Sequence, residues 1–185
     1  DNDGNGFAND IIGWNFVENN NDPMDDVGHG THVAGTIAAV GNNSLGVIGV
    51  APKAKIMIVR ALGKKGGYSS NLARGIVYAA TNGADVINNS WGCSGPCPTN
   101  PIVEEAVATA HTLGAVTVFA AGNSSSPVDV ISPQNLFTAF KPIVVAATSA
   151  DDKRAKFSNT GVQVDVAAPG VSILSLKASA PEPIG

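Results

Sequence analysis

The chain has 185 residues, of which 44% are hydrophobic and 14% charged, and its formal net charge is −4. This hydrophobic content is too high for a disordered chain, and the length suffices for one folded domain. The acidic balance, without a cluster of basic residues, argues against nucleic acid as a partner. No apolar run approaches the roughly 20 residues of a membrane span, so no membrane partner is expected.

Predicted helices and strands alternate along the chain. Val33, Ile37 and Val40 recur at helical spacing and predict a helix that ends at Gly41. Residues 55–62 form a short apolar run that predicts a buried strand, and a second helix is predicted after it, ending at Gly83. A third helix is predicted with Asn100 as its cap and Pro101 at its first position. Further strands are predicted at residues 84–92, 115–123, 142–149 and 162–170.

This alternation predicts an α/β fold. Strand–helix–strand units imply right-handed crossovers and a parallel sheet covered by helices. Ligands bind such sheets at the carboxyl ends of the strands, and the predicted strand ends are small, polar and glycine-rich. No internal repeat or linker interrupts the pattern, so we expect one domain over residues 1–185.

Two side chains are candidates for chemistry. His29 stands at the predicted start of the first helix, where the helix dipole favours the neutral imidazole that a general base needs. His32 lies three residues later, and two structural histidines are an equally good interpretation of the pair. A zinc pair is weaker, because zinc helices usually space histidines four apart around a glutamate. Asn123 ends a predicted strand and could donate to an oxyanion, or could simply form a Gly-Asn turn.

The sequence resembles the subtilase family of subtilisin-like serine proteases. The resemblance rests on six strings in the family's order: GHGTHVAGTIAA, GVIGVAP, ADVINNSWG, VFAAGN, KFSNTG and VDVAAPG. It implies a three-layer fold in which helices flank a mostly parallel sheet. It also implies that His29 is the catalytic histidine, that His32 is structural, and that Asn123 is the oxyanion asparagine.

The family's aspartate and serine strings do not occur in the sequence. We therefore expect residues 1–185 to be an internal part of a subtilisin-like endopeptidase domain, incomplete at both ends and inactive alone, with the missing segments of the parent chain as a partner. Asp25 and Asp26 precede His29 and are interpreted as surface or ion-binding residues. The alternative function is a non-catalytic subtilase-like module that binds extended peptides, and a metal-dependent hydrolase using both histidines is a third possibility.

The resemblance also implies a cleft for an extended protein or peptide substrate. Its expected residues lie at three predicted strand ends: Gly66, Gly67, Tyr68, Ser90, Trp91, Gly92, Ala120, Ala121 and Gly122. Trp91 stands where many relatives have leucine, which alters the outer pocket. The family further implies a secreted enzyme.

Calcium is the expected cofactor, in a structural role. Oxygen side chains alternate along the DNDGNG start, as in the first half of a calcium loop, although an Asn/Asp/Gly turn explains the string equally well. The expected ligands there are Asp1, Asp3, Asn5 and Asp10. The string VGNNSLGV resembles the family's strong calcium loop, which implies the ligands Val40, Asn43, Leu45 and Val47. A third, weaker candidate comprises Asn15, Glu18, Asn20 and Asp22.

Cys93 and Cys97 lie directly after Gly92, without neighbouring zinc ligands. In a secreted protein this spacing favours a short disulfide loop, with two free thiols as the alternative.

Overall fold

Strands and helices alternate in the computed structural model, which describes residues 3–93 and 95–178. The helices are α1 (His29–Ala38), α2 (Ser69–Thr81) and α3 (Pro101–Thr112). The strands are β1 (Gly13–Asn15), β2 (Ile58–Arg60), β3 (Val86–Asn89), β4 (Val116–Ala120), β5 (Ile143–Thr148) and β6 (Val166–Pro169). The chain divides into two compact units, one of Leu72–Ile173 and the other of the chain before and after it.

The first unit contains the pair β1–β2 and helix α1. The two strands run parallel, with Gly13 opposite Ile58. Trp14 and Phe16 are buried, and the ring of Phe7 meets each of them edge-on, with ring centroids 5.0 and 5.7 Å apart. This aromatic cluster supplies apolar burial to a sheet that has only two short strands.

The second unit contains a four-stranded parallel sheet in the order β3–β4–β5–β6. Burial alternates along β3 and β4, because successive side chains point to opposite faces of the sheet. Phe119 on β4 is completely buried, and so are Val103 and Val107 on α3, which packs against this strand. The strand that leads to Asn123 is therefore packed against a fully buried apolar core.

The predicted α/β class is confirmed, since parallel sheets and three helices are present. Several predicted boundaries are wrong. Helix α1 ends at Ala38 and not at Gly41, because Ala39 adopts an extended ψ of 137°. Strand β2 keeps only three of the eight predicted residues. Among the described residues, no helix has the length and apolarity needed to cross a bilayer.

The predicted cap of α3 is also corrected. The Asn100 side chain makes no capping hydrogen bond. The Glu104 carboxylate instead accepts the Asn100 backbone N–H at 2.8 Å, from one position later than the glutamate of a capping box. Glu104 also accepts a hydrogen bond from the Ser132 hydroxyl, so one carboxylate fixes the start of α3 and a distant loop.

Candidate active site

The Asp25 carboxylate fixes the turn that leads into α1. The N-cap of this helix is Gly28, with φ +94° and no side chain to cap the helix. Asp25 takes over that role: it accepts the N–H groups of Val27, Gly28 and Thr31 at 2.7–2.9 Å, and the Thr31 hydroxyl at 2.8 Å. The sequence interpretation of Asp25 as a surface or ion-binding residue missed this capping role. Its carboxylate accepts hydrogen bonds from backbone N–H groups on both sides of His29, and N–H groups at the start of a helix have no partner within the helix.

The pKa of Asp25 is well below its ordinary value. Partial burial raises the pKa of this carboxyl group, but the hydrogen bonds from Thr31, Gly28 and Val27 stabilise the ionised form and outweigh burial. Asp26, by contrast, is exposed and forms an ion pair with Arg60 at 2.9 Å.

Replacement of Asp25 by alanine is expected to lower the free energy of unfolding by about 1–2 kcal/mol at neutral pH, the usual loss for a helix cap. Because the folded pKa is depressed, this contribution is complete above the unfolded pKa of about 3.9 and is lost progressively as the pH falls from there through the folded pKa. Urea unfolding at pH 7 and pH 3 measures both effects. Asp26→Ala is the control and should cost less than about 1 kcal/mol. A pH-independent difference between wild type and Asp25→Ala would contradict the capping role.

His29 is the first residue of α1, and its side chain is exposed. It has no hydrogen-bond partner among the described residues. His32 is half-buried, and its carbonyl oxygen accepts hydrogen bonds from the hydroxyls of Thr36 and Ser175 at 3.1 and 2.6 Å. Within the described ranges, no group of three or more His, Cys, Asp or Glu side chains could hold a metal. The two histidines therefore differ: one is presented to solvent, and the other belongs to the packed part of the unit.

The carboxyl ends of β3 and β4 lie side by side in the second unit. Asn89 pairs with Phe119, so the chain leaves the sheet at Ser90 and at Ala121 in adjacent positions. The Trp91 ring packs edge-on against buried Phe119, with ring centroids 5.0 Å apart. The predicted stretches 90–92 and 120–122 are therefore neighbours.

Gln134 connects these two stretches. It is 1% exposed, and its amide nitrogen donates to the Ala120 carbonyl at 3.0 Å. A Cβ on Gly92 would lie 3.4 Å from the same nitrogen, so Gly92 packs directly on this side chain. Nothing in the spacing of the sequence indicated Gln134, because it approaches β4 from a loop fourteen residues later.

Asn123 follows β4 with an exposed side chain. Its carboxamide has no hydrogen-bond partner in the part of the chain that the structure describes. The preceding residue, Gly122, has φ +103°, a conformation that residues with a side chain rarely adopt. The chain thus turns sharply at the end of the strand and presents an amide donor that no described residue engages.

The remaining predicted site residues occupy short turns. Gly63 and Gly66 exchange two backbone hydrogen bonds of 3.0 Å, and Tyr68, just beyond them, is 79% exposed. Cys93 and Cys97 form a disulfide with Cα atoms 6.4 Å apart. The Cys97 backbone pairs with the segment at Ile131, which ties the disulfide loop to the region of Gln134.

Two of the predicted calcium-binding segments contain oxygen atoms that are candidate ligands. The Asn5 amide nitrogen donates to the carboxylates of Asp3 and Asp10, each at 3.0 Å, so the two acids converge. Asp1 lies outside the described residues. The second segment, residues 41–48, curls around a shallow cavity, and within the described residues the carbonyls of Leu45 and Val47 accept no hydrogen bond. Asn43 accepts the Leu45 N–H at 3.0 Å.

Comparison with known proteins identifies the family of folds to which this structure belongs. The chain is 48% identical over 168 residues to "Thermophilic serine proteinase" of Bacillus sp. strain AK1, a match covering 89% of the chain and 40% of that protein. It is 45% identical over 157 residues to "Extracellular protease" of Xanthomonas campestris, a match covering 80% of the chain and 26% of that protein. The solved structure of a cold-adapted subtilisin-like serine proteinase matches with a TM-score of 0.77 and 34% identity. The match covers 89% of this chain and 57% of that one. The fold is therefore that of the subtilisin-like proteinases.

The profile of the subtilase family matches residues 1–183. The chain belongs to the subtilase family, as its motifs predicted. It spans about half or less of the length of the relatives it matches.

Proposed function

We propose that the whole protein containing this chain is a secreted, subtilisin-like serine endopeptidase that hydrolyses peptide bonds in proteins. The observation that carries the proposal is the exposed Asn123 carboxamide, which lacks a partner in the described residues and follows a parallel strand in a member of the subtilase family. A preorganised amide donor stabilises the negative charge that develops on a peptide carbonyl oxygen during acyl transfer. The name of the Xanthomonas relative supports secretion.

In the proposed mechanism, His29 takes the proton of a serine hydroxyl as its oxygen attacks the carbonyl carbon of the scissile bond. His29 then gives this proton to the leaving amine. Asn123 donates to the oxyanion of the tetrahedral intermediate. The serine, and the aspartate that orients His29, would come from parts of the whole protein outside residues 1–185, because the family's strings for them do not occur here.

The substrate is proposed to be an extended segment of polypeptide. Ser90, Trp91 and Gly92 would offer backbone groups to it, as an exposed strand does in β-augmentation. Ala120, Ala121 and Gly122 have small side chains, which leave room for one large side chain of the substrate. Because Trp91 packs on Phe119, its ring is held in place beside this stretch.

The test is hydrolysis of casein and a chromogenic peptide by the whole protein. We expect turnover that a serine-directed phosphonate abolishes and that a zinc-selective chelator leaves unchanged in excess calcium. Peptide binding without turnover would favour a non-catalytic module. Turnover lost only with the zinc chelator would favour a metal-dependent hydrolase.

We also propose that calcium binds structurally at two segments. Convergence of Asp3 and Asp10 supports the first, with Asp1 and Asn5 as further ligands, because calcium prefers carboxylate and carbonyl oxygens. The carbonyls of Leu45 and Val47, which accept no hydrogen bond from the described residues, support the second, with Val40 and Asn43 completing the set. Bound calcium would neutralise the converging carboxylates and hold these exposed loops.

Millimolar calcium is therefore expected to raise the melting temperature of the whole protein, and a chelator to lower it. A ligand that binds only the folded state stabilises it by about 2.7 kcal/mol at a hundred times its Kd. Differential scanning calorimetry across a calcium series measures the shift. Asp10→Ala should reduce it, whereas Asp85→Ala, which removes an exposed acid before β3, should not. Identical melting curves in calcium and chelator would exclude the proposal.

A further inference from the structure

The Asn159 side chain holds the backbone that follows Asn123. Asn159 is completely buried, and its carboxamide oxygen accepts three hydrogen bonds. The donors are the backbone N–H of Ser124 at 3.0 Å, the Ser124 hydroxyl at 3.2 Å and the backbone N–H of Ser126 at 3.0 Å. One oxygen atom therefore fixes the turn immediately after Asn123.

Asn159 also holds the residue before Asn123. Its backbone N–H donates to the Gly122 carbonyl at 3.0 Å. Gly122 lies so close to this side chain that an added Cβ would be 2.5 Å from the Asn159 amide nitrogen. The glycine with φ +103° and its buried neighbour thus fit together, and both flanks of Asn123 contact the same residue.

The segment that carries Asn159 is itself anchored to the sheet. Ser158 is 1% exposed, and its hydroxyl accepts the N–H of Ala147 on β5 at 2.9 Å. Around Asn159, the Phe157 carbonyl accepts the Ser125 N–H, and the Thr160 N–H donates to the Ser126 carbonyl. The turn after β4 is therefore braced by a segment more than thirty residues away in sequence.

We propose that Asn159 is a positioning residue that aims the Asn123 carboxamide at the developing oxyanion. This inference rests on the proposed function. Because the Asn123 side chain has no partner of its own among the described residues, the backbone on its two sides determines its direction. Preorganised donors need such support, since a misplacement of about 1 Å can cost on the order of a hundredfold in rate.

The amide nitrogen of Asn159 is buried and has no partner within the described residues. A buried donor left without a partner destabilises the folded state, so Asn159 is a poor choice for stability alone. What the residue supplies in return is its carboxamide oxygen, which accepts three hydrogen bonds from the turn after Asn123.

A double-mutant cycle in the whole protein tests the inference, because it isolates coupling between two residues. Asn159→Ala should lower kcat on a chromogenic peptide about 10- to 100-fold with little change in KM. In an Asn123→Leu background the same substitution should lower kcat by less than about threefold, since no donor remains to be aimed. Equal fold-losses in the two backgrounds would overturn the inference.

Asn15→Ala is the matched control, because Asn15 is likewise a completely buried asparagine whose carboxamide oxygen accepts backbone N–H groups, and its donors, Val17 and Glu18, lie outside the turn after Asn123. It should leave kcat unchanged. Titration of active sites with a serine-directed phosphonate corrects every kcat for the folded fraction. If Asn159→Ala does not fold, the cycle is repeated with Asn159→Leu, which keeps most of the side-chain volume but removes the acceptor oxygen, and its kcat loss must likewise shrink in the Asn123→Leu background.

The outcomes separate this inference from the proposed function. If Asn123→Leu itself leaves kcat unchanged, the oxyanion role fails. If Asn123→Leu lowers kcat but the effects of the two substitutions are additive, only the positioning role of Asn159 fails.

Discussion

Replacement of His29 by alanine in the whole protein is expected to reduce kcat by about a millionfold, a magnitude taken from the loss of the equivalent histidine in a subtilisin. The reason is chemical: without the imidazole, no group takes the serine proton or protonates the leaving amine. Steady-state hydrolysis of a chromogenic peptide, normalised to folded protein, measures the loss. The melting temperature should change little, because His29 is exposed and has no partner in the described residues.

His32→Ala is the control for this experiment. His32 is half-buried beside the contact between its carbonyl and Ser175, so its replacement should lower the melting temperature. Turnover by the remaining folded protein should survive. Equal activity losses in both variants, at unchanged melting temperature, would contradict the assignment of the general base to His29.

Asn123→Leu is expected to lower kcat by about 100- to 1000-fold with little change in KM, a range taken from the oxyanion asparagine of a subtilisin. The effect falls on kcat because the hydrogen bond strengthens only as charge develops on the carbonyl oxygen. Leucine has a similar volume, and the exposed position of Asn123 tolerates it, so stability should be nearly unchanged.

Asn123→Asp distinguishes the donor from the shape of the side chain. The carboxylate has the same shape but offers no donor when ionised, and its charge repels an oxyanion. The kcat loss should therefore equal or exceed that of leucine. A loss confined to KM in either variant would mean that Asn123 serves substrate binding and not charge stabilisation.

Local sequence signals predicted the main elements. The apolar run of β4 and the proline at the first position of α3 are strong local signals, and both elements lie where they were expected. The end of α1 was missed because its apolar spacing continues to Val40, although that side chain is 65% exposed beyond the helix. Periodicity records which residues could share a face, but it does not show where the backbone stops being helical.

Local sequence signals could not predict contacts between distant parts of the chain. The capping role of Asp25 was missed because it depends on the turn through Gly28. This glycine is the N-cap of α1 but has no side chain that could cap the helix. Asn159 lies in a motif of the family, yet only folding brings its carboxamide to Ser124, which is 35 residues away in sequence. Gln134 reaches Ala120 in the same way.

The most direct test of the central claim is to find which serine of the whole protein reacts with an active-site-directed phosphonate. Peptide mapping by mass spectrometry locates the adduct. We predict stoichiometric labelling of one serine outside residues 1–185, and a large decrease in the labelling rate in His29→Ala. An adduct on Ser90 or Ser124, or labelling that does not depend on His29, would contradict the account.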